Sequence, residues 1–591
     1  MFNVLLTLLL PPLLFTLPAA GQAEDYTYTT NNGTITITGY TGPGGAVAIP
    51  DTITGLPVTS LGIFTFSYCT NVASVVIPGS VTNLGEAPFS FCSSLTAITV
   101  DTNNPVYSSV DGVLFNKSQT ALIRYPAGKA ASQYTIPNSV TTIEGSQGWS
   151  GEGGAFYSCT NLTDITIGNS VNSIGYDAFF FCTSLTSITI PDSVTNIGSS
   201  AFWGCSSLTG VTIPDNVINI GSSAFWGCSS LTSVTIPSSV TSIGNNAFAG
   251  CTSLSVIMVD TNNPVYCSVD GVLFNKSQTV LIQCPGGKAG SYIVPNSVTS
   301  VGNGAFDSCA SLTSVTIGKS VASIGSWAFY SCTNLTDITI PNSVTSIGVA
   351  AFIFCTSLTS ITIPDSVTNI GGEAFLYCDS LTAIMVDTNN LAYSSVDGVL
   401  FNQNQTTLIQ YPAGKAENQY TIPNTVTKIG GSAFHFCTSL TSVTIPDSVT
   451  SIGVSEGLGR GAFFFCTSLS SVYFKGNAPS VSSDVFEEAN NATVYHLPGT
   501  TGWGTAYGGR PTSLWLPRVQ TSDDSFGVRT NQFGFNITWA SGRVTVVEAS
   551  SNLANPIWSP VSTNTLTSGS SYFSDPQWTN YSARFYRLRS P

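Results

Sequence analysis

The sequence predicts a repeat solenoid, predominantly β, and three observations carry that prediction. Cys159, Cys182, Cys205, Cys228 and Cys251 recur every 23 residues, and the stretch Leu185 to Cys205 is nearly repeated at Leu208 to Cys228. A strict period of this size marks stacked coils, none of which can bury its apolar side alone. Within each unit Leu185, Ile188 and Ile190 are spaced to point inward, whereas Thr186 and Thr189 point out. Finally, charged residues make up only 8% of the 591 positions against 55 glycines, so the surface is polar through hydroxyls.

Each part of the unit has a physical reading. The opening Leu-x-x-Ile-x-Ile is a strand of leucine-rich-repeat type. Pro191 stops it, having no N–H to give a ladder. Val194 and Ile197 make a second short extended segment ending at Gly198. The closing Ala201-Phe202-Trp203-Gly204-Cys205 lacks alternation and is too short for a stable free helix. It reads as one helical or 3₁₀ turn that plugs Phe202 and Cys205 into the core.

The wording Ser-Ile-Gly-x-x-Ala-Phe-x-x-Cys-Thr-Ser-Leu-Thr-Ser-Val-Thr-Ile-Pro resembles the BspA-like leucine-rich repeats of bacterial and protist surface proteins, over residues 55–497. The resemblance implies a right-handed β/α superhelix. For function it implies adhesion to host or matrix proteins in some members and no known activity in many others.

Taken in order, residues 1–23 read as a signal peptide, with the apolar run Leu5 to Leu17 and the small residues Ala19 to Ala23 suited to cleavage, though no Lys or Arg precedes the run. No later stretch is apolar for the ~18 residues a membrane span requires. Residues 24–54 form an N-terminal cap over an otherwise open core. The regular spacing is interrupted at Asp101-Thr-Asn-Asn104, Asp260-Thr-Asn-Asn263 and Asp387-Thr-Asn-Asn390, each followed by Val-Asp-Gly-Val. Asp-Gly between β-prone runs is a two-residue hairpin signal, so each interruption is expected to be a three-stranded meander standing at a coil edge as a rib. Two Gly- and Glu-containing insertions, Gly145 to Gly153 with Trp149 and Val454 to Arg460, enter between Ile-Gly and Ala-Phe. A corner tolerates extra loop at little entropic cost. Residues 498–520 form a C-terminal cap and linker, and residues 521–591 a small separate all-β module with strands at Gly534 to Thr538, Arg543 to Glu548 and Ala583 to Leu588.

Thirteen of the fifteen cysteines occupy one slot of successive coils, so their Cβ vectors are parallel and bridge poorly; buried free thiols are expected. Cys267 and Cys284 stand apart, two strand spacings from each other within the second meander, which also disfavours a bond.

The sequence favours binding over catalysis. Its formal charge of −14 leaves no basic face for nucleic acid. His435 and His496 are the two histidines, and no nucleophile elbow, zinc, phosphate-loop or dinucleotide motif occurs; Gly148-Trp-Ser-Gly-Glu152 fails the elbow at its last position. The Asp-Thr-Asn-Asn stretches lack the rest of a calcium loop, so no metal, cofactor or catalytic residue is assigned. Two features remain as ligand contacts. One is the slot after Ala-Phe, filled by Tyr157, Phe180, Trp203 and Trp226, together with Trp149 on its loop; the stripe either seals a corner or offers a platform. The other is the ladder Thr163, Thr166, Thr186, Thr189, Thr209, Thr212, Thr232 and Thr235, whose simplest role is cross-strand pairing. The expectation is a secreted or cell-surface scaffold for an extracellular protein or glycan, with a purely structural envelope protein and a glycan-degrading enzyme as alternatives. The tail from Arg518 carries six arginines against four acids and could attach the chain to the envelope.

Overall fold

The computed structural model describes residues 19–20, 23–146, 153–453 and 460–591. The predicted signal peptide and both inserted loops, Trp149 included, fall largely or wholly outside these residues. The chain divides into two compact units, Met1–Leu335 and Thr336–Pro591. Each is a β-solenoid, and no α-helix occurs among the described residues.

In the first unit the coils stack through two parallel ladders and a turn-built third side. Asp164–Thr166 pairs with Ser187–Thr189 in register Ile165 to Ile188. A second ladder joins Ile174, Ile197, Ile220 and Ile243 across four coils. The first ladder loses its regular strand over residues 210–213, where Gly210 stands in the slot of Ser187; a glycine has no side chain to pack and more backbone freedom to lose.

The third side corrects the expected helical turn. Phe202 and Gly204 donate their N–H groups to Ala224 and Trp226 of the next coil, 2.7 Å each, while Trp203 and Cys205 close local turns onto Ser200 and Phe202. Alternate N–H groups are thus committed to the neighbouring coil, where a helix would have aimed them along its own axis. Left-handed residues before Ala-Phe and before Cys, such as Ser200 at φ 53° and Gly204 at φ 69°, bend the chain. A Cβ on Gly204 would run into the ring of Phe181, which would have to move to admit it.

The core follows the sequence pattern. Leu185, Ile188, Ile190, Val194, Ile197, Phe202 and Cys205 are all buried. Phe156, Phe179, Phe202, Phe225 and Phe248 form a continuous stack with centroids 4.9–5.5 Å apart. The thiols lie free beside it. Cys205 Sγ donates to Phe179 O at 3.1 Å, and Cys182, Cys228 and Cys251 repeat the bond to Phe156, Phe202 and Phe225. Burial pushes the Cys182 and Cys228 thiols well above their ordinary pKa. Cys267 and Cys284 are also free.

The three meanders form as expected, at Tyr107–Val110, Val113–Asn116 and Ala121–Arg124 in the first. Asp111 and Gly112 both take positive φ, 50° and 75°, the geometry of a type I′ hairpin. Each meander begins a sheet with its first strand at the edge, but its third strand is built into the coil stack. Ala121–Arg124 pairs in parallel with Thr142–Ile143 and so serves as that coil's member of the second ladder. Val113, Leu114 and Phe115 are buried. Each Asp-Thr-Asn-Asn stretch holds its meander through its last residue. Asn263 Nδ2 donates to Pro237 O and Val240 O at 2.7 and 2.9 Å, and its Oδ1 accepts from Val265 and Tyr266 N–H at 2.9 and 2.8 Å.

The second unit repeats this plan through Thr493–His496 and Arg510–Leu514, with Phe486 closing the stack of Phe434 and Phe463. The C-terminal β module carries two three- or four-stranded sheets, adding strands Ser559–Leu566 and Ser570–Asp575 to those expected. It has its own core and packs against the last turns of the solenoid. Leu497 joins the module's core of Phe535, Ile537, Trp539, Val547, Leu566 and Phe573, and Trp539 Nε1 donates to Trp515 O at 2.8 Å. Its arginines are partly spent internally: Arg584 pairs with Asp575, and Arg587 and Arg589 both grip Glu548.

Candidate functional site

The structure brings Tyr157, Phe180, Trp203 and Trp226 into one row. Successive centroids lie 5.1, 5.6 and 4.3 Å apart with interplanar angles of 3°, 22° and 28°. The local turns set the side chains one above another. Tyr157 is buried and the other three are partly exposed. Because the rings stack on one another, their faces are largely occupied and their edges line the corner. Past the small Ala249 the row meets Asp307, which is buried at 4% exposure. Ser308 Oγ donates to Asp307 at 2.6 Å, and burial, opposed by bonds from Ser308 and Trp226, pushes its pKa up to about 6.

A second aromatic row runs one slot further on, before Cys, and was not singled out from the sequence. Tyr68 stacks on Phe91 at 4.6 Å with 65% of Tyr68 exposed. In the second unit Phe354, Tyr377, Phe436 and Phe465 follow one another at 4.4–4.8 Å. The signal was present, since the slot alternates between aromatic residues, serine and glycine.

The threonine ladder resolves into two rows with different duties. Thr163, Thr186, Thr209 and Thr232 each donate Oγ1 to a carbonyl of the preceding coil, at 2.9–3.3 Å. Their hydroxyls are structural. Thr166, Thr189, Thr212 and Thr235 form the other row, exposed on the outer face of the first ladder, and the row ends at Met258, which pairs with Thr235.

In the second unit the same outer row changes character. Thr421 pairs with Thr444, Thr444 with Tyr473 and Tyr473 with Tyr495. Tyr473 stacks on Tyr495 at 5.1 Å, and Trp515 leans on Tyr473 at 4.7 Å. A depression of about 330 Å³ lies beside them, lined by Gln419, Thr421, Ser442, Thr444 and Ser471 among others. Sequence reasoning passed over these aromatics because the repeat wording fades at Val472, although Tyr473 and Tyr495 keep the threonine register.

Charged chemistry is sparse. Arg124 is buried, and its Nη1 and Nη2 donate to Gly154 O and Phe89 O at 2.8 and 3.1 Å. It borders a cavity of about 250 Å³ with Glu86, Tyr107 and Glu144. Burial pushes the Glu144 carboxyl up. His435 is packed between Tyr377 and Phe464 at 4.6 and 5.1 Å, and burial holds its pKa down to about 4, so the ring is neutral. Among the described residues no group of three or more His, Cys, Asp or Glu could hold a metal ion, and no helix is long and apolar enough to cross a membrane.

Stacked parallel strands, an inward Leu-x-x-Ile-x-Ile and a turn-built corner define a leucine-rich-repeat protein. The chain belongs to the BspA type leucine rich repeat region family, whose profile matches residues 47–146, 152–266, 287–405 and 414–502. No curated protein matches the sequence. Among solved structures, it is similar to a leucine-rich repeat protein from Eubacterium ventriosum, 24% identical, covering 68% of this chain and 95% of that one with a TM-score of 0.45. A leucine rich cell surface protein from Faecalibacterium prausnitzii is 28% identical, with 78% and 96% covered and a TM-score of 0.32. The pneumococcal vaccine antigen PcpA is 20% identical, with 81% and 93% covered and a TM-score of 0.33.

Proposed function

We propose that the chain is exported and acts at the cell surface or in the extracellular space as a binding scaffold, recognising protein or glycan along the side of the solenoid. The observation that carries this reading is the outer face of the first ladder. There Thr166, Thr189, Thr212 and Thr235 lie exposed in one row, free of the carbonyl bonds that occupy Thr163, Thr186, Thr209 and Thr232. Such a face offers many weak polar contacts in register, and affinity then comes from their number and from aromatic anchors. The partly exposed edges of Phe180, Trp203 and Trp226 supply anchors on a neighbouring side. Membership in the BspA-type family supports a surface or secreted location. The family is one of repeats, not of enzymes, which supports binding over turnover.

Pull-down from extracellular matrix and glycan-array screening of residues 24–516 test the reading, alongside fractionation of the producing cells. Capture of a defined extracellular ligand supports it. No capture on either screen refutes binding and leaves a purely structural envelope role, and retention in the cell interior refutes both. Deleting residues 521–591 asks whether the docked module contributes to retention, and unchanged retention assigns it to capping.

A further inference from the structure

The depression beside Tyr473 and Trp515 has a chemistry that selects among ligands. Its lining contains no Asp, Glu, Lys or Arg. A charged ligand would therefore be desolvated with no opposite charge to meet it, which is unfavourable. An apolar peptide finds no apolar floor either, because Thr421, Ser442, Thr444 and Ser471 present hydroxyls from three adjacent strands, joined by the Gln419 amide. Hydroxyls both donate and accept, and the amide does the same with separate atoms. Beside them stand the rings of Tyr473, Tyr495 and Trp515. Trp515 is fixed by its backbone, which donates to His496 O at 2.7 Å and accepts from Trp539 Nε1 at 2.8 Å. Those main-chain bonds would be kept by any residue at position 515, while the ring itself is held between Tyr473 and the edge of the module's core.

Uncharged donors and acceptors next to rigid aromatic rings match a molecule with one C–H-rich face and a rim of neutral hydroxyls. We propose that this depression is a subsite for a neutral carbohydrate, with Trp515 and Tyr473 meeting the sugar's apolar face and Gln419, Thr444 and Ser471 its hydroxyls. The assignment rests on the scaffold reading above and narrows it to one ligand class at one place.

The test uses the full chain, titrated by calorimetry and tryptophan fluorescence with neutral hexasaccharides of glucose, mannose, galactose and xylose, and with heparin and polygalacturonate as charged probes. Two variants accompany it. Trp515→Ala removes the ring, and Ser471→Arg fills the depression from an outward position on a strand whose inward neighbours Val472 and Phe474 are untouched. The expected result is binding of at least one neutral oligosaccharide over both charged probes, weakened about tenfold or more in each variant, with Ser471→Arg melting like the wild type. A neutral sugar bound equally well by Ser471→Arg and Trp515→Ala overturns the subsite and leaves the scaffold reading standing. Preference for heparin or polygalacturonate overturns the assignment to a neutral carbohydrate alone. Failure to bind any glycan or matrix protein overturns both.

Discussion

Asp307, at the end of the stripe of aromatic residues, should make the protein's stability depend on pH. The carboxylate is buried, with hydrogen bonds from Ser308 and Trp226, and its pKa lies at about 6 against an ordinary 3.8. The folded state thus holds the proton more tightly than the unfolded chain does. Asp307 places no burden on stability below about pH 4, an increasing one between about pH 4 and 6, and a constant one above. At about 1.4 kcal/mol per pKa unit the full penalty is about 3 kcal/mol. Asp307→Asn keeps an acceptor for Ser308 and cannot ionise. In urea titrations of the intact chain, the variant should match the wild type near pH 4 and exceed it by about 1–3 kcal/mol near pH 7.5. Emission from Trp226 should shift with pH through the same window in the wild type only. A stability difference that stays flat across that range, or a variant weaker than the wild type at neutral pH, would refute the reasoning.

Other expectations follow from the core and its polar bonds. Phe202→Ala removes a fully buried ring stacked 5.1 Å from both neighbours, and calorimetry should show a loss of about 3–5 kcal/mol. Trp203→Ala, one residue on and partly exposed, should lose less. Arg124→Gln should be tolerated to within about 1 kcal/mol, whereas Arg124→Ala, leaving the Gly154 and Phe89 carbonyls without donors, should lose about 2–4 kcal/mol. The basis is internal, since Gln283 fills the same slot of the second meander and donates to the matching Gly304 O at 3.4 Å. Thiol titration should find that the native protein reacts at Cys69 and Cys267 at most, and that all fifteen react once it is unfolded. A shortfall after unfolding without reductant would mean that disulfides exist.

The strands were legible because their pattern is local. Leu185, Ile188 and Ile190 declare an inward face by spacing alone, and Asp111-Gly112 declares a type I′ hairpin by residue type. The corner was not legible in the same way. Phe202 and Gly204 donate to residues 22 ahead, and a short apolar run carries no mark of where its N–H groups will go. Asn104 was readable as a turn residue, but its anchoring bonds reach carbonyls of Pro78 and Val81, which only folding brings near. The module's docking was hidden for a related reason, since Leu497 resembles any strand end until the core that receives it is built. Of the candidate contacts, the row from Tyr157 to Trp226 came straight from the period. Tyr473 and Trp515 did not, because reading by repeated wording stops where the wording decays, whereas the register persists.

The alternation of bonds at the corner has one more outcome. Phe156 and Ser158 grip Ala178 and Phe180 of the next coil through their own N–H groups, at 2.8 and 2.7 Å. The coil after the longer sequence ahead of Gly153 thus keeps the bonds that its neighbours make. Alignment is re-established by the main chain within a few positions, whatever precedes it. The second insertion enters at the same junction between Ile-Gly and Ala-Phe, and there too the main chain resumes its grip at once, Phe463 donating to Val485 O at 2.9 Å.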